Sequence, residues 1–536
     1  MSLHLRPVSA VGIALHEFAH VHPPRLQITD WRPYLGILGV LLGSIMGTLG
    51  TRTSSFGLAD LRGGLHAGFD EGAWITTSYG IGQMLVGVAS PYLGAVFGAR
   101  RVLLQGIILF FMMSLLSPLT DNLRSFLVMQ TLAGIGSGTF IPLTITFVVR
   151  SLPARLVVYG VAVYAMNSEL SQNVAASLEG YYSEHLSWHW VYWQYCIALP
   201  VMFVAIWFGV PRERVNTDLL RGLDWWGLLY AGAGFAMLYA GLDQGNRLDW
   251  RSSGLIVGLL FGGGILTAAF IFRELVTAKR PFLNLRLLLQ GNLLLLLLAL
   301  AGFRFIILST AYVIPTFLQA VQNFRELQVG QVLLWIALPQ LVLAFPLAAL
   351  LWRVDGRAIL AIGTILIGVA CLMAGQLTSI WATEDFLPSQ ILQAIGQSFA
   401  LTAVILLVVR SIVPAEALTI GCLLQISRLF GGEIGTAFMQ TFVRVREQVH
   451  SNLIGLHVAE GTTLTMDRLN AYASRLGTHV PDAGVAAAQS SKLLATAVTN
   501  QADVLAYADG FSAAALGAWG CLVLVAAMRK GHDSPF

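Results

Sequence analysis

Long apolar runs, broken by short stretches of charge, proline and glycine, dominate the chain from residue 33 to residue 528. Wound as helices, runs of about 20 residues without strict alternation match the hydrocarbon core of a bilayer, and they exclude an outer-membrane barrel. Fourteen spans are expected, near residues 33–55, 72–93, 101–119, 125–149, 156–178, 188–209, 223–242, 253–272, 292–318, 329–352, 358–378, 386–409, 419–443 and 511–528. The class this predicts is an all-α integral membrane protein. Two segments break the short-loop rhythm: an arm at residues 1–32 and an insert at residues 444–510. In the insert, Val445, Val449, Leu453 and Leu456 recur at helical spacing, and so do Leu493, Leu494 and Val498. That pattern predicts two helices joined by a turn around Pro481, a hairpin whose apolar faces need each other or a partner.

Composition agrees with this reading. Of 536 residues, 56% are hydrophobic and 11% charged, with mean hydropathy +0.71, whereas a soluble domain carries about 25% charged residues. Placement of charge says more than the net +4. Arg100, Arg101, Arg150, Arg155, Arg212 and Arg214 fall in one set of alternate loops, while the short loops of the other set hold Arg62, Arg124, Arg247, Arg251 and Arg325. The richer side is expected to be cytoplasmic, with both termini on it. No apolar core precedes a small-residue cleavage site in residues 1–32, so the first span is expected to serve as its own insertion signal. Cys196, Cys371, Cys422 and Cys521 sit singly in apolar spans and read as packing residues.

Motifs for soluble chemistry are weak. His16-Glu17-Phe18-Ala19-His20 satisfies HExxH, but it lies in a short arm without a third ligand at a usual offset, so it reads as a chance match in an amphipathic segment. No GxxxxGK[ST] stretch occurs, so transport would draw on an ion gradient or on the substrate's own gradient. Nothing calls for a cofactor, a metal, a nucleic acid or an enzymatic activity.

The ionisable residues at membrane depth are the candidates for function, because a charge there is costly unless it faces protein or water. They are Arg52 in span 1, Glu169 in span 5, Arg304 in span 9, and Arg428 with Glu433 in span 13, with Glu179 at the outer end of span 5. Buried carboxylates can carry protons, which makes Glu169, Glu179 and Glu433 the coupling candidates. Arg52 and Arg304 cannot titrate usefully and suit anionic substrate groups, with Gln130, Asn167 and Gln172 as polar neighbours. Gly134 and Gly138 in span 4, and Arg428 and Gly432 in span 13, are expected at packing or gating positions, since small residues let helices approach closely. The competing reading of each charge is a packing ion pair that holds helices in register.

Further residues carry a resemblance. Trp74-Ile75-Thr76-Thr77-Ser78-Tyr79, the Gly134 to Pro142 stretch, Trp188-His189-Trp190, Leu223-Asp224-Trp225-Trp226-Gly227, Leu242 through Trp250 and Ser427 through Thr436 resemble the fourteen-helix drug:proton antiporter branch of the major facilitator superfamily. The similarity is to the EmrB type, the inner-membrane component of tripartite pumps, and covers about residues 30–530. It implies a six-helix bundle at 33–209, two extra helices with their linkers at 210–285, and a second six-helix bundle at 286–536 that includes the 444–510 hairpin. It also implies alternating access in the bacterial inner membrane and work with an EmrA-like periplasmic adaptor and a TolC-like outer-membrane channel. Adaptor contact is expected at the hairpin.

Departures from that pattern are specific. The span 1 carboxylate is replaced by Gly50, the span 4 arginine by Gln130, the loop from Gly94 to Arg101 lacks its aspartate, and Ala175 through Gly180 replaces the span 5 antiporter signature. The expected function is therefore a secondary-active, proton-coupled exporter of amphipathic compounds in which the proton site is displaced and Arg52 and Arg304 favour anionic substrates. Alternatives are a broad cationic multidrug exporter, and a membrane scaffold or sensor that has lost coupling.

Overall fold

The computed structural model describes residues 31–221, 224–277, 283–289, 291–411, 416–458, 462–477 and 482–529. The HExxH segment, the rest of the N-terminal arm and Pro481 lie outside the described residues. Helices dominate, and no strand occurs among the described residues.

The principal helices of the first half are α1 Arg32–Phe56, α2 Trp74–Gly87, α3 Ser90–Phe97, α4 Ala99–Leu116, α5 Leu123–Ser137, α6 Phe140–Ser151, α7 Ala154–His185 and α8 Trp190–Gly209. Then come α9 Trp225–Gly245, α10 Gly254–Phe272, α11 Leu293–Ile306, α12 Ile314–Ala320, α13 Glu326–Leu351, α14 Gly356–Ala374, α15 Leu387–Arg410, α16 Ala417–Gly455, α17 Thr463–Gly477 and α18 Ala483–Ala527.

Each of the fourteen expected spans falls on helix. Among the described residues, 10 helices are long and apolar enough to cross a membrane, or up to 11 if the pair bent by 49° between Gly87 and Ser90 is one span. The bend has a local cause, since Pro91 sits in the first turn of α3 and a proline there restarts a helix. The other three expected spans, α7, α9 and α16, are helices that carry more polar residues than composition alone allows.

Packing brings the two halves of the sequence together. α7 lies along α13, α1 packs on α8 and α7, and α9 packs on α10 and α2. Close approach depends on missing side chains: a Cβ at Gly134 would stand 2.1 Å from the carbonyl oxygen of Tyr79 and one at Gly138 3.1 Å from Cα of Gln83, so α2 and α5 meet backbone to backbone.

The 444–510 insert is built differently from the expected hairpin. Its first arm is no separate helix but the continuation of α16 to Gly455, followed by the independent helix α17. Its last arm belongs to α18, whose 45 residues span about 68 Å at 1.5 Å per residue, roughly twice the hydrocarbon thickness. The physical reason is that an apolar face does not stop at a membrane boundary: α17 and α16 both pack on α18, and a helix extended with such support keeps its hydrogen bonds.

Candidate functional site

The site starts on α7, where Asn167, Ser168, Glu169, Ser171, Gln172 and Asn173 interrupt an apolar helix. Glu169 is 1% exposed. Nη1 of Arg304, from α11, lies 3.7 Å from Oε1 of Glu169 and donates to Oε1 of Gln172 at 3.3 Å. Arg52 enters from α1: its Nη2 donates to the carbonyl oxygen of Ala311 at 2.9 Å, and its guanidinium lies 5.0 Å from the Phe56 ring. That carbonyl is available for a definite reason. The helix widens into a π turn over Ser309–Val313, and Pro315, four residues on, has no N–H to give.

Arg428 of α16 completes the cluster. With Tyr164, Ser168, Glu169 and Arg304 it lines a narrow cavity of about 10 Å³, the room of one water molecule. Arg52 and Arg304 repel one another, and both are drawn to Glu169. The cluster thus carries three guanidiniums against the Glu169 carboxylate. Buried Nε of Arg52, Nε of Arg304 and Oε1 of Glu169 have no hydrogen-bond partner. Buried polar groups are normally satisfied, so these atoms are open to a further hydrogen bond.

Beside the charges runs a chain of amides. Nδ2 of Asn173 donates to Gln340 at 3.4 Å, Gln340 donates to Gln397 at 3.4 Å, and Gln397 donates to Thr310 Oγ1 at 3.1 Å and to Gln393 at 3.2 Å. It ties α7 to α13 and α15, while the ion pair ties α7 to α11. Sequence reasoning did not single out Gln340, Gln393 or Gln397. The available signal was the run Gln390, Gln393, Gln397 at one-turn spacing in an apolar helix.

The other expected residues sit elsewhere. Gln130 is buried in α5 and is not among the residues lining the cavity. Asn167 donates to the Leu41 carbonyl at 2.9 Å, binding α7 to α1. Glu179 packs against Gly57, where a Cβ would stand 2.8 Å from its Oε1, in a group with Asp60 and Glu326. Gly432 faces Arg304, whose Nε would be 3.7 Å from an added Cβ. Position 50 is occupied from across the helix pair: a Cβ on Gly50 would stand 2.1 Å from the Tyr79 hydroxyl.

Glu433 belongs to a second, acidic group. Its Oε1 is buried without a hydrogen-bond partner, and Asp243 of α9 lies within electrostatic range of it. Asp243 accepts from the Thr77 hydroxyl and from Nε2 of Gln244, the latter at 3.1 Å. Tyr239 lies within electrostatic range of both acids. Asp243 had been read only as part of the Leu242 to Trp250 motif, because it sits at the end of a span where an acid usually faces water.

Membrane-length helices packed around a buried, partly unsatisfied charge cluster define a multi-pass membrane transporter and not an enzyme. Residues 40–436 match the model of the Major Facilitator Superfamily, and the chain belongs to that superfamily. It is 25% identical to the colistin resistance protein EmrB of Acinetobacter baumannii, covering 82% of this chain and 86% of that one. It is 22% identical to the multidrug export protein EmrB of Haemophilus influenzae, over 91% and 94%, and 22% identical to the fatty acid resistance protein FarB of Neisseria gonorrhoeae, over 89% and 92%. These relatives bear out the EmrB-type resemblance. Among solved structures, an auto-inhibited peptide transporter of the POT family superposes with a TM-score of 0.58 at 15% identity, covering 94% of this chain and 99% of that one. The proton:xylose symporter XylE gives 0.51 at 15%, over 91% and 95%.

Proposed function

We propose that this protein is a proton-coupled exporter of amphipathic organic compounds, anionic ones preferred, working by alternating access in the bacterial inner membrane. The observation that carries this reading is the cluster of Arg52, Arg304 and Arg428 around Glu169, with open hydrogen-bonding valences, where α7 meets α1, α11 and α16. An anionic group entering the cluster satisfies the guanidiniums and competes with Glu169 for Arg304. Freed from its cation in a buried site, Glu169 favours its protonated form, so substrate occupancy and protonation of Glu169 are linked, which couples transport to the proton. Relatives whose names refer to multidrug export, colistin resistance and fatty acid resistance support efflux of amphipathic molecules.

The reading extends to fourteen crossings, with α7, α9 and α16 spanning despite their polar residues, and to cytoplasmic termini, as the arginine distribution favours. It includes an adaptor and an outer-membrane channel as partners, the adaptor meeting α17 and the outer part of α18. A second reading, export of cations, draws on the buried Asp243 and Glu433 pair.

The deciding experiment loads proteoliposomes and imposes a proton gradient. Arg52→Ala is expected to lower transport of an acidic toxicant more than of a basic one, and Glu169→Gln to abolish gradient-driven transport. Equal loss for both toxicants with Arg52→Ala overturns the charge preference. Unchanged gradient dependence in Glu169→Gln overturns its role as proton carrier.

A further inference from the structure

A second cavity lies far from this site in the sequence, between the start of α4 and the chain leaving α8. It has a volume of about 260 Å³ and is lined by Gly98, Arg100, Arg101, Trp207, Arg212 and Glu213 among others. Trp207 gathers the charges: the guanidinium of Arg100 lies 4.7 Å from its ring centroid and that of Arg212 5.7 Å. Two like charges held on one indole repel each other, and the arrangement gains from an anion between them. Glu213 does not fill that role: its Oε2 accepts the backbone N–H of Ala99 at 3.3 Å, and among the described residues it makes no ion pair with Arg100 or Arg212. Gly98, at φ 90°, is what brings that N–H to the carboxylate, in a backbone conformation side chains disfavour.

The donors are only partly used. Nη1 of Arg100 reaches the Val210 carbonyl at 3.5 Å and Nη1 of Arg101 the Phe97 carbonyl at 3.3 Å, and each guanidinium has further N–H groups. The linker holding Arg212 and Glu213 is fixed in place, as Asn216 N–H donates to the Val96 carbonyl at 2.8 Å.

What lies next to the cavity identifies the ligand. Ile197, Val201, Val204 and Phe208 form an exposed apolar stripe along α8, from 53% to 66% exposed, and Ile108, Met112 and Leu115 form another along α4. The two helices pack together. A molecule whose anionic head sits among the arginines therefore finds two apolar rails for its tails. We propose that this cavity binds the phosphate headgroup of an anionic phospholipid, with the acyl chains laid along α4 and α8. Basic pockets between membrane helices recognise such headgroups by the same charge and geometry.

The test is lipid retention by the full-length protein. Wild type is purified from bilayers of phosphatidylcholine with about one-fifth phosphatidylglycerol, a composition in which surface arginines act, and bound lipid is counted by native mass spectrometry. Wild type is expected to retain phosphatidylglycerol, Arg100→Gln/Arg212→Gln to retain about tenfold less, and the exposed control Arg251→Gln to retain as much as wild type. Arg100→Lys/Arg212→Lys keeps the charge and is expected to keep most of the lipid, which separates binding from misfolding. Glu213→Gln removes the opposing carboxylate and is expected to raise retention. Equal retention in wild type and the double glutamine variant overturns the proposal, and so does displacement of the lipid by an equal concentration of inorganic phosphate, which would make the site a reader of free anions.

Discussion

Two buried charge clusters differ in composition and in neighbours. The cluster around Glu169 of α7 holds Arg52 of α1, Arg304 of α11 and Arg428 of α16, whereas the cluster on α9 and α16 holds Asp243 and Glu433 with hydroxyl and amide donors, and Arg247 acts on Asp243. The first joins helices from the two halves of the chain; the second joins one late helix to a helix between the halves. The first cluster is rich in cations and the second in acids, so the two present opposite charge to whatever approaches them.

Substitutions can break that division. The largest effect is expected from Arg304→Ala, which strands Glu169 without its nearest cation. Stranding one partner of a buried pair costs about 3–5 kcal/mol, so the variant should melt well below wild type in detergent, and Arg304→Ala/Glu169→Gln should recover much of the loss. If the double variant is as unstable as the single, the pair is no electrostatic unit. Next comes Gln397→Leu. It removes the link among Gln340, Gln393 and Thr310, leaving buried partners unpaired at about 1–3 kcal/mol, read from the same thermal melt. Glu433→Gln with Asp243→Asn is expected to change the pH dependence of transport while leaving the preference for acidic over basic substrates as it was. A reversed preference would merge the two clusters into one functional unit.

The smallest effect concerns the part of α18 beyond the bilayer. Burial, and then repulsion from Glu447, push the Asp503 carboxyl up to about 6 from 3.8. The folded state therefore holds this proton more tightly than the unfolded chain. Stability from the group is full below about pH 4 and declines as pH rises through about 6. Amide exchange around Asp503, corrected for intrinsic rates, should be slower at pH 5 than at pH 7.5, and Asp503→Asn should erase the difference.

Much of this was legible in the sequence, and for one reason: a bilayer demands about 20 apolar residues per crossing and penalises every exception. Arg52, Glu169 and Arg304 stood out as exceptions, and the structure brings them together. The glutamine chain stayed hidden because an amide in an apolar helix is cheap enough to pass for packing, and only its partners on α13 and α15 reveal a network. Asp243 was obscured by its place at a helix end, where solvation is the usual expectation. The insert was misjudged because helical periodicity says that residues 445–456 are helical but not that they continue the helix before them.

The hydroxyl of Tyr79 standing where a side chain on Gly50 would go has a consequence for how such a protein can change. An acid placed at position 50 collides with a buried phenol, so a single replacement there yields a damaged helix pair before it yields a new proton site. The permissive order is fixed: Tyr79 has to shrink first, and a shrunken Tyr79 leaves a void beside Phe110, whose ring centroid lies 6.2 Å from it. Each step alone is unfavourable. Sterics therefore make a side chain at position 50 costly unless Tyr79 changes with it.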